Sequence, residues 1–120
     1  NVIGITDATR IAGTGVKSGK LGSLKNGTDV IVDDGVAKLP DLSSYAGSIC
    51  TMDRALRILC VEYGVDPVTA AKMLSTNPAR QIGIRTQRGA IEESMLADFV
   101  ITDHEFKILT VIKEGEIINN

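Results

Sequence analysis

The stretch Val2-Ile3-Gly4-Ile5-Thr6-Asp7-Ala8 decides the expected fold class. Residues 2–5 form an apolar run without polar alternation, which is typical of a strand buried on both faces of a parallel α/β sheet. The run ends near Asp7, and in α/β barrels and open α/β sheets the functional side chains lie at the carboxyl ends of the strands. We therefore predict an α/β protein in which Asp7 is a candidate catalytic residue, as a general base, a metal ligand or an orienting group. The alternative is that Asp7 only forms an Asx turn at a strand end.

Composition argues against several functional classes. The 120 residues carry a formal net charge of −2, so charge gives no support for binding to nucleic acid or to an anionic membrane. No apolar run approaches the ~20 residues that are needed to span a bilayer. Hydrophobic residues make up 43% of the chain, which is enough to bury a core, and that core must be aliphatic because aromatic residues make up only 3%.

The two cysteines, Cys50 and Cys60, lie near or on one predicted helix. Ten helical residues separate two positions by about 15 Å, which is too far for a disulfide. We predict that both are reduced and pack as small hydrophobic side chains, which suits a cytoplasmic protein. A reactive thiol is the alternative, but no histidine lies near either cysteine in the sequence.

Turn and capping signals divide the chain into short elements. Five glycines in residues 9–27 predict a long loop, and Asp33-Asp34-Gly35 predicts the turn of a hairpin over residues 29–40. Thr51 and Asp66-Pro67 are start signals for two helices. The remaining predicted elements are a loop over 42–48, a short helix from Asn77-Pro78 to Gly83, and strands over 97–101, 107–112 and 116–118.

Other conspicuous residues are more simply explained by structure than by chemistry. The glycine-rich segment 13–22 matches neither the P-loop nor the dinucleotide pattern, so we predict a surface loop. His104, the only histidine, lies in a polar turn with no second nitrogen or sulfur ligand nearby. The pair Glu92-Glu93 predicts a solvated face. Arg80 could bind an anion, but a structural ion pair is the simpler expectation.

Four segments carry a pattern that spans nearly the whole chain. They are Thr6-Asp7-Ala8; Ala46-Gly47-Ser48 followed by Thr51-Met52; Ser75-Thr76-Asn77-Pro78-Ala79-Arg80 with Gly83; and Gly89-x-Ile91 followed by Ala97-Asp98. In order and spacing they resemble the N-acetylglucosamine-6-phosphate deacetylase family of amidohydrolases. The last two segments are typical of amidohydrolases broadly, and the first two favour the deacetylases. Ser94 departs from the pattern, because the family usually has glycine there, and it would be strained if the backbone has positive φ.

The resemblance implies a fold made of part of a (β/α)₈ barrel and part of a small β-sandwich domain. Residues 1–28 would contain the last barrel strand and an active-site loop, and residues 29–40 a β-hairpin. Residues 41–83 would contain a substrate loop and the C-terminal barrel helices, and residues 84–120 strands of the β-sandwich. The chain starts with Asn1 directly before an apolar run, so we expect a fragment of a longer enzyme.

The resemblance also implies an activity, which is hydrolysis of N-acetylglucosamine 6-phosphate to glucosamine 6-phosphate and acetate. Asp7 matches the catalytic position, where a carboxylate takes a proton from water and returns it to the departing amine. Ala46, Gly47 and Ser48 match a loop that lines the substrate pocket. The implied cofactor is a divalent metal such as zinc or iron, whose expected ligands, a glutamate and two histidines, would lie upstream and not in this chain.

The resemblance further implies a cytoplasmic homo-oligomer, and the 120 residues alone are expected to be inactive because they lack the metal ligands. Two alternatives stay open. The chain could belong to another amidohydrolase, such as a dihydroorotase-like or D-aminoacylase-like enzyme, which would share the later motifs. It could also be a non-catalytic module that binds a partner chain through the apolar run at residues 2–5.

Overall fold

A computed structural model describes residues 2–118. The chain divides into two compact units. The first is formed by Thr6–Thr51, and the second by residues 2–5 together with residues 52–118. Within residues 2–118, no helix has the length and apolar character needed to cross a membrane.

The first unit contains a three-stranded antiparallel sheet in the order β1 (Ser18–Leu21), β2 (Thr28–Asp33) and β3 (Val36–Lys38). Strands β2 and β3 form the predicted hairpin, in which Asp33 pairs with Val36. The two residues of its loop, Asp34 and Gly35, have φ of 48° and 73°. Positive φ at both positions is the type I′ geometry that matches the twist of paired strands, and Asp-Gly is a preferred sequence for it.

Strand β1 corrects the sequence prediction, which placed residues 9–27 in a loop. Serine and glycine give the segment Ser18–Leu21 a low strand propensity, but pairing with β2 supplies its backbone hydrogen bonds. Gly19 is required at this point because a Cβ would lie 2.6 Å from Ile11 Cγ2. The segment is therefore a strand for a tertiary reason that its own sequence does not display.

The core of the first unit is small and aliphatic, as composition predicted. Ile11, Val30 and Ala46 are buried against one another. Partly buried hydrophobic side chains pack around them, namely Val32, Leu39 and Ile49. The core therefore joins the loop that follows Asp7, the central strand and the loop that contains Gly47.

The second unit begins with helix α1 (Met52–Arg57), which widens into a π-helical turn over Ile58–Glu62. Gly64 follows with φ of 65°, as expected for a glycine just beyond a helix. Helix α2 (Pro67–Ala71) starts as predicted, because the Asp66 carboxylate accepts a hydrogen bond from the Thr69 N–H at 3.0 Å.

The short helix predicted from Asn77-Pro78 is present, but it does not start independently of α2. Helix α3 (Asn77–Gln81) continues from α2 through a π-helical turn over Lys72–Thr76. In this turn the Asn77 N–H donates to the carbonyl of Lys72, five residues back. The wider turn accommodates Pro78, which has no N–H and would crowd the backbone of a regular helix.

A second antiparallel sheet has the order β4 (Phe99–Thr102), β5 (Ile108–Lys113) and β6 (Glu116–Ile118). The predicted strands are confirmed with shifted ends, since β4 begins at Phe99 and not at residue 97. Ala97 instead accepts a hydrogen bond from the Gly115 N–H, and Asp98 accepts one from the Glu114 N–H. These contacts fix the β5–β6 turn.

The predicted buried strand at residues 2–5 is wrong. The segment has no strand structure, and the side chains of Val2 and Ile5 are 61% and 76% exposed. It contacts the helical segment through the Gly4 N–H, which donates to the carbonyl of Met73, and through the Val2 carbonyl, which accepts from Asn77 Nδ2. A parallel strand needs neighbouring strands to accept and donate its hydrogen bonds, and residues 2–118 place no strand beside this run.

Candidate functional site

The first unit brings together two of the segments that sequence analysis singled out, although 40 residues separate them. Ala8 and Ser48 form a parallel β-bridge. The Ser48 N–H donates to the carbonyl of Asp7 at 2.8 Å, and the Thr9 N–H donates to the carbonyl of Ser48 at 2.8 Å. Asp7 and the 46–48 segment are thus neighbours in space, as one site would require.

Asp7 has an unusual backbone and an accessible side chain. Its φ is 48°, in the left-handed region that few residues other than glycine adopt, although Asp is among the more tolerant. The residue is exposed, and within residues 2–118 its carboxylate forms no hydrogen bond or ion pair. Both oxygens are therefore free to accept protons or hydrogen bonds from another molecule.

Gly47 lies directly against Asp7. Its φ is 70°, and a Cβ at this position would lie 2.9 Å from Thr9 Cγ2 and 3.0 Å from the Asp7 carbonyl oxygen. The same Cβ would lie 3.7 Å from Asp7 Oδ2. Both the backbone angle and the close approach require glycine, and its absence of a side chain leaves space beside the carboxylate.

Ser48 makes only internal hydrogen bonds among the described residues. Its hydroxyl donates to the Thr6 carbonyl at 2.6 Å and accepts from the Cys50 N–H at 2.9 Å. Its carbonyl accepts from Thr9 Oγ1 at 3.1 Å in addition to the Thr9 N–H. Because a hydroxyl has one proton, Ser48 has none left to donate to a substrate in this arrangement.

Ala46 belongs to the core. Its side chain is buried with Ile11 and Val30, and its N–H donates to the carbonyl of Ala37 at 3.0 Å. Of the three residues predicted to line a substrate pocket, Gly47 is therefore the one that lies beside the Asp7 carboxylate. Contact of the 46–48 segment with a substrate stays a prediction.

The described residues do not form a metal centre. In residues 2–118 no group of three or more His, Cys, Asp or Glu side chains is gathered at one place. Gly47 and Ser48, which lie against the Asp7 backbone, and Thr9, which bonds to Ser48, supply no second carboxylate, imidazole or thiol. A divalent metal beside Asp7 would need ligands from outside this set, so we assign no chemical step to one.

The structure places the remaining candidates on the surface. His104 is exposed in the turn between β4 and β5. The neighbouring Asp103 accepts hydrogen bonds from the Lys107 and Glu105 N–H groups, which lower the pKa of its carboxyl. Arg80 is exposed and forms no ion pair within residues 2–118, so the predicted structural ion pair is wrong for these residues. Glu92 is not only solvated, since it pairs with Arg85 at 2.6 Å.

The two cysteines are free and partly buried, as predicted for reduced residues. Cys50 Sγ donates to the carbonyl of Thr51 at 3.3 Å. Burial raises the pKa of the Cys60 thiol, with a smaller contribution from the nearby charge of Asp66. A raised pKa disfavours the thiolate, which argues against a reactive Cys60.

The family model described as the Amidohydrolase family matches residues 15–118. This chain belongs to the amidohydrolase family. The matched stretch contains the 46–48 segment and both later motifs, and it begins after Asp7.

Known amidohydrolases resemble different lengths of the chain. The N-acetylglucosamine-6-phosphate deacetylase of Rattus norvegicus is 27% identical over 114 residues, which cover 95% of this chain and 27% of that protein. The adenine deaminase of Methanothrix thermoacetophila is 45% identical over 56 residues, which cover 47% of this chain and 10% of that protein. The crystal structure of the deacetylase from Pasteurella multocida superposes with a TM-score of 0.86 at 27% identity, over 97% of this chain and 29% of that one.

This amidohydrolase chain therefore spans less than a third of the length of each of these relatives.

The two later sequence motifs, at residues 75–83 and 89–98, are in contact in the second unit. Gly89, with φ of 96°, lies so close to the helical motif that a Cβ would be 2.6 Å from that of Ala79. The Thr76 hydroxyl donates to the Gly89 carbonyl at 2.6 Å. These motif residues serve packing.

Sequence reasoning missed one charged cluster of this amidohydrolase. Arg88 forms ion pairs with Asp98 and with Glu114, the latter at 2.8 Å. The Asp98 carboxylate also accepts from the Glu114 N–H at 2.8 Å. The position of Asp98 in the last motif was a signal, but the partners lie 10 and 16 residues away and no local pattern links them.

Proposed function

We propose that this chain is the C-terminal part of a deacetylase that hydrolyses N-acetylglucosamine 6-phosphate, with Asp7 as its general base and acid. The observation that carries the proposal is the exposed Asp7 carboxylate, which is free of hydrogen-bond and ion-pair partners among the described residues and lies beside Gly47. The likeness to deacetylases over 95% and 97% of this chain supports the choice of substrate.

In the proposed reaction Asp7 carries out two proton transfers. As water attacks the acetamide carbonyl carbon, the carboxylate accepts a proton from that water. When the tetrahedral intermediate collapses, the C–N bond breaks and the protonated Asp7 gives its proton to the departing amine. The products are an amino sugar phosphate and acetate, and Asp7 is again a carboxylate.

Metal dependence is part of the proposal, because amidohydrolases are generally metal-dependent. The ligands would come from outside residues 2–118, so the isolated 120-residue chain should not turn over the substrate. Turnover by the purified chain, at a rate comparable to the longer protein, would contradict this part of the proposal.

The test is Asp7→Asn in the longer protein that carries this sequence. The substitution keeps the size of the side chain and removes the base. Proton transfer by a positioned group is typically worth about 10²–10⁴-fold in rate, so kcat should fall by about that much. The thermal midpoint Tm should change little, because within residues 2–118 the exposed carboxylate forms no hydrogen bond or ion pair. KM should also change little, because under this proposal other residues hold the sugar and the phosphate.

The three measurements must be made on one preparation. A kcat within a few-fold of wild type would show that Asp7 only forms a turn. A fall of Tm together with activity would show a structural residue, and the proposed catalytic role would then be rejected. Asp33→Asn is a matched control, since Asp33 lies in the same unit and pairs with Lys38 at the hairpin.

A second function has support from one observation. The identity to an adenine deaminase reaches 45%, although over 56 residues only. Both reactions need water to be deprotonated beside a carbon that loses nitrogen, so Asp7 could serve either. Assaying the longer protein with N-acetylglucosamine 6-phosphate and with adenine separates the two functions, and a protein that turns over neither would contradict both of them.

A further inference from the structure

The left-handed backbone of Asp7 is held by one residue on the other segment. Rotation about φ of Asp7 is set by the peptide that contains the Thr6 carbonyl, and rotation about ψ by the peptide that contains the Asp7 carbonyl. Ser48 binds both carbonyls. Its hydroxyl donates to Thr6 O at 2.6 Å, and its N–H donates to Asp7 O at 2.8 Å.

These two bonds fix the direction in which the Cα–Cβ bond of Asp7 points. With both flanking peptide planes held, the Cα–Cβ bond of Asp7 has one orientation relative to Ser48. The arrangement is itself anchored, because the Ser48 carbonyl accepts from Thr9 and its hydroxyl accepts from the Cys50 N–H. In residues 2–118 no bond to the carboxylate competes with this orientation.

We propose that Ser48 is the positioning residue of Asp7. It acts through the backbone of Asp7 and does not touch the reacting atoms. This inference rests on the proposed function, since positioning matters to rate only if Asp7 moves a proton. It also gives the serine of the 46–48 segment a role that differs from direct substrate contact.

The test is a double-mutant cycle in the longer protein that carries this sequence, assayed with N-acetylglucosamine 6-phosphate. Ser48→Ala removes the hydroxyl bond to Thr6 and keeps the N–H bond to Asp7. Misplacing a catalytic group by about 1 Å can cost on the order of 100-fold, so we expect kcat to fall by about 10- to 100-fold. KM should stay within about 3-fold, because ground-state binding does not depend on where the base points.

The second arm places Ser48→Ala in the Asp7→Asn background. If Ser48 acts through Asp7, the double variant should be no slower than Asp7→Asn alone. A residue that only supports the fold, or one that contacts substrate, would cost the same factor in both backgrounds. Ser48→Thr keeps the hydroxyl and should recover most of the lost kcat. Ser43→Ala is the matched control, because it removes an exposed serine hydroxyl that donates only to Asp41.

The outcomes separate this inference from the proposed function. The positioning role would be overturned, and the general base kept, if Asp7→Asn loses much of its kcat while Ser48→Ala keeps a kcat near wild type. The same conclusion follows if Ser48→Ala lowers kcat by the same factor in the wild-type and Asp7→Asn backgrounds. Wild-type activity in Asp7→Asn would overturn both. If Ser48→Ala does not fold, as judged by Tm, Ser48→Cys takes its place, since a thiol of similar size is a weaker donor. Full activity of that folded variant would also count against positioning.

Discussion

The β2–β3 and β5–β6 hairpins of this amidohydrolase have the same type of two-residue turn but bury different amounts of apolar surface. Asp34-Gly35 joins β2 to β3 with φ of 48° and 73°, and Glu114-Gly115 joins β5 to β6 with φ of 52° and 86°. The first hairpin buries Val30 to 1% exposure, whereas Ile117 in the second is 64% exposed. Turn geometry is thus local, while burial depends on what packs against the strands.

The largest effect that tests this comparison comes from matched truncations in the two hairpins. Val30→Ala should destabilise the protein by about 2 kcal/mol, because it removes two buried methyl groups and leaves a cavity. Ile117→Ala should cost less than about 0.5 kcal/mol if β6 is as exposed in the longer protein as it is here. Denaturant unfolding of both variants measures the difference.

An equal cost at the two positions would break the comparison. It would mean that another part of the protein covers β6, so that Ile117 is also a core residue. The second unit would then bury its apolar face only within the longer chain.

A smaller effect is expected at Ser94, which has φ of 67°. Sequence analysis predicted backbone strain at Ser94 if its φ is positive, and the structure shows a positive φ. Both hairpin turns use glycine at a similar φ, at Gly35 and Gly115, and Ser94 does not. Ser94→Gly should therefore stabilise the protein by about 0.5 kcal/mol, since relief of strain is partly offset by the greater freedom of glycine in the unfolded chain. A lower Tm for this variant would show that the serine side chain contributes more than the strain costs.

The smallest effects concern the exposed ion pairs of the two units, which should respond to opposite ends of the pH scale. The hydrogen bond to Asp33 raises the pKa of Lys38 above 10.5, so that pair stabilises below pH 10.5 and is lost as pH rises through the raised value. The hydrogen bond from Arg85 lowers the pKa of Glu92 below 4.5. That pair therefore stabilises above pH 4.5 and is lost as pH falls through the lowered value.

NMR titration of the Lys38 and Glu92 side chains tests both directions. Asp33→Asn should return the Lys38 pKa toward 10.5, and Arg85→Met should return that of Glu92 toward 4.5. A Glu92 pKa at or above 4.5 in the wild-type protein would show that the Arg85 contact does not persist in solution.

Local signals in the sequence predicted the elements whose hydrogen bonds are local. Asp66 caps helix α2 as expected, and Asp34-Gly35 forms the expected turn. The sequence failed where a hydrogen bond outside the short capping and turn patterns decides the outcome. Asn77-Pro78 suggested the start of a new helix, but the hydrogen bond from the Asn77 N–H to the Lys72 carbonyl continues the existing helix. Ser18–Leu21 looked like loop, but β2 makes it a strand.

In the candidate site, too, some features could be predicted from the sequence and others could not. The motif resemblance selected Asp7 and the 46–48 segment, and the requirement for glycine at position 47 follows from its φ of 70°. That Ala46 is a core residue, and that the Ser48 hydroxyl bonds to Thr6, could not be predicted from either segment alone. These contacts join residues about 40 positions apart, and no periodicity or capping rule reaches that far.

Residue types at short spacing were enough to predict the amidohydrolase family, the hairpin turns and the starts of helices α1 and α2. The tertiary structure decided which segments become strands, which apolar side chains are buried and which atoms hold Asp7. The run at residues 2–5 has the composition of a buried strand and is exposed without strand structure. Its apolar residues favour burial, but a strand forms only where the backbone of a neighbouring strand pairs with its N–H and C=O groups.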